Sequence, residues 1–444
     1  MEKIITTPCG KIKGSGCRLN GVIAYKGIRY ATAGRWEYPK LTEAFDGVYD
    51  ATKYGSCSYQ PRAFYNEEEN VKKIFYYNEF RKGEEYSYSE DCLFLNVWTP
   101  EYASEGGRLP VIVYIHGGGY TGGCGHEKHF DDPIWPTKGV IAVTINYRLG
   151  PMGFLCLPEL TDEAGRCGNY GLYDQLAALQ WVKQNISAFG GDPDRITVMG
   201  QSAGAMSVQH LCQSPAARGL FCGAVMSSGC GMSNMLLSKP EKVYPFWQEV
   251  MKRAGCKTLA DFRALPPEEL FAEWQKAKRE IKGGMMSTTP VKDGYLITDK
   301  AEPADIPYII GSNSHDMAPP ILHSLSKKWG KSRGERSYIY LFDRMLPGDK
   351  CGAWHSADLW YWFGTLENCW RPMEEQDYSV SDKMTTFLCN FAKNGNPNSD
   401  DLIIWDPVSK SGKTLIIGEK PEKMGRANTL KLTGIMLTNK SVGE

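Results

Sequence analysis

Several marks of nucleic-acid-binding and membrane proteins are missing from this 444-residue chain. Its 51 Lys and Arg residues balance 51 Asp and Glu residues, so no excess of basic charge indicates a nucleic-acid partner. No apolar run approaches the roughly 18 residues that cross a bilayer. Residues 1–10 lack the apolar stretch of a signal peptide. We therefore expect a cytoplasmic protein that binds neither nucleic acid nor a membrane.

Regular cysteine spacing is also missing. Fourteen cysteines lie between Cys9 and Cys389, without a C-x-x-C pair. This scatter argues against zinc-finger and thioredoxin-like redox sites, whose ligands and thiols recur at short, fixed spacings. With no secretion signal, reduced thiols packed in the core are favoured over disulfides. We expect neither a metal nor an organic cofactor.

The apolar pattern predicts an α/β fold. Residues 1–31 alternate short β-like runs with turn residues, which is typical of an antiparallel meander. Further on, apolar runs typical of buried strands alternate with segments of helical periodicity, which predicts a mainly parallel sheet flanked by helices. The strand-like runs are 93–98, 109–115, 140–145, 196–199, 223–228, 308–310 and 338–342, and the clearest helices are 173–186 and 383–393. Without a repeat or a low-complexity linker, we expect one domain over residues 1–444.

Two stretches interrupt this alternation. Residues 60–90 are rich in Phe and Tyr without a clean period. They form either a surface excursion with aromatic anchors or a lid whose aromatic side chains line a pocket. Residues 235–285 are rich in Lys, Glu and Ala and predict a helical insertion above the sheet.

The most informative stretch is the sequence GQSAG at residues 200–204. It follows the short strand 196–199 and precedes a small, apolar segment that can continue as a helix. A G-x-S-x-G motif in a strand–turn–helix context is typical of a nucleophile elbow, a strained turn that exposes the serine hydroxyl. This pattern makes Ser202 the candidate nucleophile.

A second glycine motif strengthens this interpretation. The sequence HGGG at residues 116–119 directly follows strand 109–115. Glycines at a strand end allow backbone N–H groups to point into a cavity, as an oxyanion hole requires. The candidate donors are the N–H groups of Gly118, Gly119 and Ala203. His116 precedes the glycines, so we expect it to be structural.

The base and the acid are sought after the serine, because α/β-hydrolases place them in the chain order Ser, acid, His. His355 lies in a loop that follows the last strong strand, whereas His323 lies in a helix-like run. Asp316 lies just beyond strand 308–310, although an Asp there could also cap a turn. Asp293, in a Lys-Asp-Gly turn, is the competing acid. We expect His355 to be the base and Asp316 the acid.

Together these motifs resemble the type-B carboxylesterase family, a branch of the α/β-hydrolases that contains para-nitrobenzyl esterases, carboxylesterases and cholinesterases. The resemblance runs in order from about residue 20 to residue 407. Besides the two glycine motifs, similar segments are GIRYA at 27–31, SEDCLFLNV at 89–97, NYRLGPMGF at 146–154, GNYGLYDQ at 168–175, FGGDP at 189–193 and GAWH at 352–355.

The resemblance implies an α/β-hydrolase fold and a serine carboxylesterase that forms an acyl-enzyme on small-molecule esters. It makes Ser202 the nucleophile and His355 the base, with the oxyanion donors named above. Ser228 matches a buried serine that supports the base and the acid in relatives.

The sequence departs from the family pattern at three places. Asp316 stands where the family usually has Glu, so its loop must approach the base more closely. Gln201 stands where many members have Glu, which removes a negative charge beside the nucleophile. Cys57 and Cys92 match a pair that is disulfide-bonded in secreted relatives, and here we expect them to be close together but reduced.

The sequence leaves the substrate open. Aromatic residues near the motifs suggest an aromatic-lined pocket and an uncharged acyl or aryl ester, although core packing explains them equally well. An amidase or a carbamate hydrolase would use the same machinery, and some relatives with this fold are non-catalytic adhesion proteins. The aromatic residues concerned are Tyr120, Trp354, Trp360 and Trp362.

Overall fold

A computed structural model describes residues 2–71, 73–299, 302–418 and 422–438. Its strands are β1 (Glu2–Thr7), β2 (Gly10–Gly16), β3 (Val22–Arg29), β4 (Ala31–Thr32), β5 (Lys40–Leu41), β6 (Val48–Asp50), β7 (Cys57–Ser58), β8 (Tyr88–Ser89), β9 (Phe94–Pro100), β10 (Leu109–Ile115), β11 (Ile141–Ile145), β12 (Gly191–Gln201), β13 (Gly223–Ser227), β14 (Tyr308–Asn313), β15 (Ser337–Phe342), β16 (Thr414–Ile417) and β17 (Lys423–Gly425).

The α-helices follow in the same chain order. They are α1 (Ile74–Phe80), α2 (Gly150–Phe154), α3 (Pro158–Ala164), α4 (Tyr170–Asn185), α5 (Ala203–Gln213), α6 (Ser233–Leu236), α7 (Tyr244–Arg253), α8 (Leu259–Ala264), α9 (Pro267–Glu280), α10 (Pro319–Lys331), α11 (Leu359–Phe363), α12 (Glu375–Asn394), α13 (Val408–Ser411) and α14 (Thr429–Thr438). Among the described helices, none is both long enough and apolar enough to cross a membrane.

One large mixed sheet organises the chain, in the order β1-β2-β3-β9-β11-β10-β12-β13-β14-β15-β16-β17. The strands from β11 to β16 in this order run parallel to one another, and the other neighbours along it are antiparallel. Strand β6 lies beside this path and pairs with β2 in parallel. The predicted α/β-hydrolase fold, with its mainly parallel central sheet and its N-terminal antiparallel meander, is confirmed. Each predicted strand-like run coincides with one of these strands.

The parallel strands are apolar throughout because both faces of the sheet are covered. In β10, Val111, Val113 and Ile115 pack in a core cluster shared with α4 and α5. The alternate residues Ile112 and Tyr114 pack in a second cluster, shared with α11 and α12. Because successive side chains of a strand point to opposite faces, one continuous apolar run serves both cores.

The segment predicted as a helical insertion contains helices α7, α8 and α9. Their apolar faces do not lie open to solvent but form a third core cluster with α2 and α3. Trp247 and Trp274 are buried in that cluster. The lysines and glutamates that dominate the composition of this segment therefore occupy only its outer face.

A buried ion pair joins the end of β11 to helix α4. The Arg148 guanidinium donates to both carboxylate oxygens of Asp174, at 2.7 and 2.8 Å, and the Arg148 backbone N–H donates to the same carboxylate at 3.0 Å. Both side chains are buried. Removing one partner of such a pair is strongly destabilising, because the other charge is then left buried without a partner.

Replacing Asp174 with Ala should therefore lower the free energy of unfolding by about 3–5 kcal/mol. Urea unfolding followed by circular dichroism measures this as a lower midpoint at an unchanged slope. The matched control is Asp194→Ala, which breaks the solvent-exposed pair of Lys183 and Asp194. The urea midpoint of this variant should equal that of the wild type, because an exposed ion pair contributes little to the free energy of unfolding. Equal shifts for both variants would contradict the role given to burial.

Candidate active site

Ser202 lies at the turn between the end of β12 and the start of α5. Its backbone has φ 56° and ψ −124°, an uncommon conformation for a residue with a side chain. The turn is possible because its neighbours lack side chains: a Cβ on Gly204 would lie 2.1 Å from the Ile115 carbonyl oxygen, and one on Gly200 would lie 2.4 Å from Gly204. The chain thus has the strained elbow that the G-x-S-x-G motif predicts.

His355 and Asp316 meet in the loops that follow β15 and β14. Nδ1–H of His355 donates to Oδ1 of Asp316 at 2.5 Å. The two loops are joined by a backbone hydrogen bond from His315 N–H to the Ala353 carbonyl oxygen, at 3.1 Å. This contact holds the Asp316 loop against the His355 loop. The Asp316 carboxylate also accepts the Met317 N–H at 2.9 Å.

The electrostatics of this pair favour a charged carboxylate and a basic imidazole. Burial alone would lower the pKa of His355, but the charge and the hydrogen bond of Asp316 outweigh it, and the pKa is raised above the usual 6.5. Burial would likewise raise the pKa of Asp316, but His355, together with Ser228 and the Met317 N–H, outweighs that effect and lowers it. Each group therefore stabilises the charged form of the other.

The other ring nitrogen of His355 faces the nucleophile turn. Its Nε2 lies 3.2 Å from the amide nitrogen of Gln201, the residue before Ser202. In the described part of the chain, no hydrogen bond within 3.5 Å joins Ser202 Oγ to His355. Contacts between a catalytic base and its nucleophile are often long before substrate binds. Ser202 and His355 nevertheless line one cavity.

The HGGG segment forms a tight turn at the end of β10. Gly118 and Gly119 have φ +100° and +63°, and the Gly118 carbonyl accepts the N–H groups of Thr121 and Gly122. Across residues 2–71, 73–299, 302–418 and 422–438, no acceptor within hydrogen-bond distance takes the N–H groups of Gly118, Gly119 or Ala203. Gly118 and Gly119 line the cavity beside Ser202, whereas Ala203 is not among its described lining residues.

His116, which the sequence predicts to be structural, packs in the turn and also lines the cavity beside Ser202. It is buried, and its Nδ1–H donates to the Gly117 carbonyl at 2.9 Å. The ring stacks on Tyr147 at 4.4 Å between centroids. Burial lowers the pKa of His116, so the imidazole is neutral near pH 7.

A further buried carboxyl group lies behind the pair of His355 and Asp316, and sequence analysis missed it. Asp358 accepts hydrogen bonds from Ser227 Oγ at 2.7 Å and from Tyr340 OH at 2.8 Å. Burial raises the pKa of Asp358. The only hint in the sequence is its position three residues after His355. Its hydroxyl and amide donors, Ser227, Tyr340 and Asn313, lie on strands β13, β15 and β14.

Ser228, which the resemblance places in this network, is buried next to it. Its backbone N–H donates to the Gly311 carbonyl at 2.8 Å. Its hydroxyl is close enough to help lower the pKa of Asp316. Among the described residues, however, Ser228 Oγ has no hydrogen-bond partner of acceptable geometry.

The competing candidates lie elsewhere. Asp293 closes a turn by accepting the N–H groups of Tyr295, Leu296 and Ile297. His323 is buried in helix α10, where burial lowers its pKa to about 4. Neither residue lines the cavity that holds Ser202.

The cavity beside Ser202 has a volume of about 420 Å³. The aromatic residues suggested by the sequence do not line it: Trp354, Trp360, Trp362 and Tyr120 are buried in the core and are not among the described lining residues. Trp354 instead packs behind the lining, against Phe75, Tyr76 and Phe80. The aromatic-rich segment supplies one side of the cavity, here called the outer wall: Pro61, Arg62, Tyr65, Glu67, Lys73, Tyr76, Phe80 and Arg81.

Helix α1 ties this outer wall to the C-terminal half of the chain. Its Glu79 is buried and accepts hydrogen bonds from the Arg371 guanidinium, the shortest at 2.6 Å. Arg371 also donates to Asp349 at 2.6 Å. The side chain of Arg371 is itself buried, so this ion pair lies away from water.

Comparison with known proteins places this chain in one family. The Carboxylesterase family model matches residues 1–328 and 317–433. The chain is 32% identical to para-nitrobenzyl esterase of Bacillus subtilis, with 94% of each chain covered. It is 36% identical to a pyrethroid hydrolase of Mus musculus, over 96% of this chain and 89% of the mouse protein.

Solved structures agree. A structure of PNB esterase superposes with a TM-score of 0.80 at 27% identity, covering 98% of this chain and 99% of the other. An esterase from Clostridium hathewayi shares the fold, with a TM-score of 0.82 at 23% identity and coverage of 98% and 97%. The resemblance found in the sequence is thus confirmed, and we conclude that the chain belongs to the carboxylesterase family and is a carboxylic ester hydrolase.

Proposed function

We propose that this protein hydrolyses carboxylic esters through an acyl-enzyme on Ser202, with His355 as the base and Asp316 as the acid. The observation that carries the proposal is the hydrogen bond between His355 and Asp316 at the wall of the cavity into which the strained Ser202 turn opens. A serine hydroxyl needs a base to remove its proton, and the base needs a third group to orient it.

In the first half-reaction, Ser202 Oγ attacks the carbonyl carbon of the ester, and His355 Nε2 accepts the hydroxyl proton. The negative oxygen of the tetrahedral intermediate accepts hydrogen bonds from Gly118, Gly119 and Ala203. When the bond between carbon and the leaving oxygen breaks, His355 returns the proton to the departing alcohol. Water then repeats the sequence on the acyl-enzyme and releases the carboxylic acid.

The Gln201 side chain must move away from His355 during this cycle, because its amide donates to His355 Nε2, the nitrogen that would accept the serine proton. Rotation of the Gln201 side chain frees His355 Nε2 for Ser202. The neutral amide leaves no charge beside the imidazole, in contrast with a Glu at the same place. Asp316 therefore remains the charged group in direct hydrogen-bond contact with His355.

The cavity favours an uncharged ester with apolar groups. The aromatic rings of Tyr65, Tyr76 and Phe80 offer apolar surface, and Arg62 and Arg81 are already paired with Glu127 or Glu67. The remaining cation of the outer wall, Lys73, is exposed to solvent, where its charge is screened. A free carboxylate on the substrate would therefore find no unpaired arginine and only this exposed lysine among these wall residues. The names of two relatives, para-nitrobenzyl esterase and pyrethroid hydrolase, fit esters with bulky apolar groups.

Replacing Ser202 with Ala should reduce kcat/KM on para-nitrophenyl acetate, butyrate and octanoate by at least about a thousandfold, because the covalent route is lost. The matched control is Ser207→Ala, a buried serine on the same helix α5 that does not line the cavity. It should retain wild-type activity. An active Ser202→Ala variant would refute the proposal, and wild-type turnover of para-nitroacetanilide but of none of the esters would indicate an amidase.

Activity should fall on acidification as His355 becomes protonated, because only the neutral imidazole can accept the serine proton. Since the pKa of His355 is raised above 6.5, half-maximal activity should lie above pH 6.5.

Replacing Gln201 with Glu adds a negative charge near Nε2, which stabilises the imidazolium. The acid limb of the kcat/KM profile should therefore move up by about 1–3 pH units.

The control for this experiment is Gln213→Glu, which adds the same charge at the far end of α5, outside the cavity lining. Its profile should superpose on that of the wild type. An unchanged or a downward-shifted acid limb in Gln201→Glu would show that His355 is not the group that titrates.

A further inference from the structure

Three buried metal-ligand atoms converge on one point behind the HGGG loop. Cys57 Sγ, Cys124 Sγ and a ring nitrogen of His126 all lie within 4.8 Å of one another. The side chains of Cys57 and Cys124 are inaccessible to solvent, and His126 is only 8% exposed. Neither thiol is in a disulfide. The proposed ester chemistry uses none of the three residues.

Two side-chain amides hold the two ligand-bearing segments together. Gln60 accepts the Gly123 N–H at 2.9 Å and donates to the Ser58 carbonyl at 3.1 Å. On the other side, Asn146 accepts the Gly125 N–H at 2.7 Å and donates to the Ser56 carbonyl at 3.1 Å. The segment around Cys57 is therefore fixed against the segment around Cys124 from both flanks, as a preorganised site requires.

The imidazole is also held in place. The His126 ring stacks on Tyr54, with 4.5 Å between centroids and 10° between planes, and Tyr86 lies 5.5 Å away. This arrangement directs Nε2 toward Cys57 Sγ, at 3.6 Å. A zinc ion with bonds of about 2.3 Å to sulfur and 2.0–2.1 Å to nitrogen, at a tetrahedral angle, separates the two ligand atoms by about 3.6 Å.

The surrounding charges suit a dication with two thiolates. Arg62 lies 3.8 Å from Cys124 Sγ and is paired with Glu127 at 2.6 Å. Arg81 pairs with both Glu127 and Glu67. The positive charges of these two arginines cancel the negative charges of the two glutamates, and the charges of two thiolates cancel that of a divalent cation. Metal binding would therefore add no net charge to the buried region.

We propose that Cys57, Cys124 and His126 bind a thiophilic divalent cation of the zinc class. Thiolate and imidazole ligands select such ions over Mg²⁺ or Ca²⁺. On binding, each thiol loses its proton to solvent, and the metal forms two bonds to sulfur and one to nitrogen, with a water molecule in the fourth tetrahedral position. The ion links β7 to the turn that follows the HGGG loop. The proposal does not depend on the identity of the nucleophile.

The test is metal binding by the full chain under reducing conditions. After treatment with a chelator and a phosphine reductant, the wild type should bind about one equivalent of Zn²⁺ per chain. With Co²⁺ as the probe, a thiolate-to-cobalt charge-transfer band and strong tetrahedral visible bands should appear and then saturate. Addition of Zn²⁺ should displace Co²⁺ and bleach these bands.

Variants locate the site. Cys57→Ser and Cys124→Ser should each weaken Zn²⁺ binding by more than about tenfold, because a ligand contributes at least as much as the groups that orient it. Cys212→Ser, an equally buried thiol on α5, is the matched control and should bind like the wild type. Circular dichroism establishes that each variant is folded.

Three outcomes would overturn the proposal. One is a wild type without saturable Co²⁺ bands, which decides the matter even if the cysteine variants fail to fold. Another is unchanged Zn²⁺ binding in folded Cys57→Ser and Cys124→Ser. The third is a peptide linking Cys57 to Cys124 that persists in the reductant-treated protein, which would make the pair a disulfide instead.

Discussion

The active-site geometry depends on the backbone hydrogen bonds between the parallel strands β10, β12, β13, β14 and β15. Their register pairs Ile115 with Gly200, Gln201 with Ser227, Ser227 with Gly311 and Asn313 with Phe342, so the carboxyl ends of these strands lie at one level. Residues far apart in sequence therefore leave the sheet side by side. A slip of one residue in any pairing would turn side chains to the opposite face and separate the hydroxyl, the imidazole and the carboxylate.

The buried strands and the tight turns could be predicted from the sequence, because their patterns lie within a few neighbouring residues. Apolar runs such as 109–115 indicate buried strands because parallel strands are covered on both faces. Glycines around Ser202 and after His116 indicate tight turns because a Cβ would collide there. The meeting of His355 with Asp316 could be inferred only through the known chain order and a family resemblance, since the two residues are 39 positions apart.

Other features depend on tertiary contacts that no local pattern carries. Asp358 is recognisable as a buried acid only when Ser227 and Tyr340 are brought next to it. Cys57 lies 67 and 69 positions before Cys124 and His126, so no cysteine spacing in the sequence indicates that these three side chains meet. The short Cys-x-His sequence at 124–126 was the one local hint. The tryptophans near His355 misled because large aromatic side chains serve cores as readily as pockets.

The buried ion pair of Glu79 and Arg371 bears on the surface that a substrate meets. Arg371 joins Glu79 of helix α1 to Asp349, so helix α1 is fastened to the C-terminal half of the chain by charged hydrogen bonds that are largely shielded from water. Tyr76 and Phe80 lie on the same helix and line the cavity. Their aromatic surface is therefore held in place before a ligand arrives, as a preorganised binding surface requires.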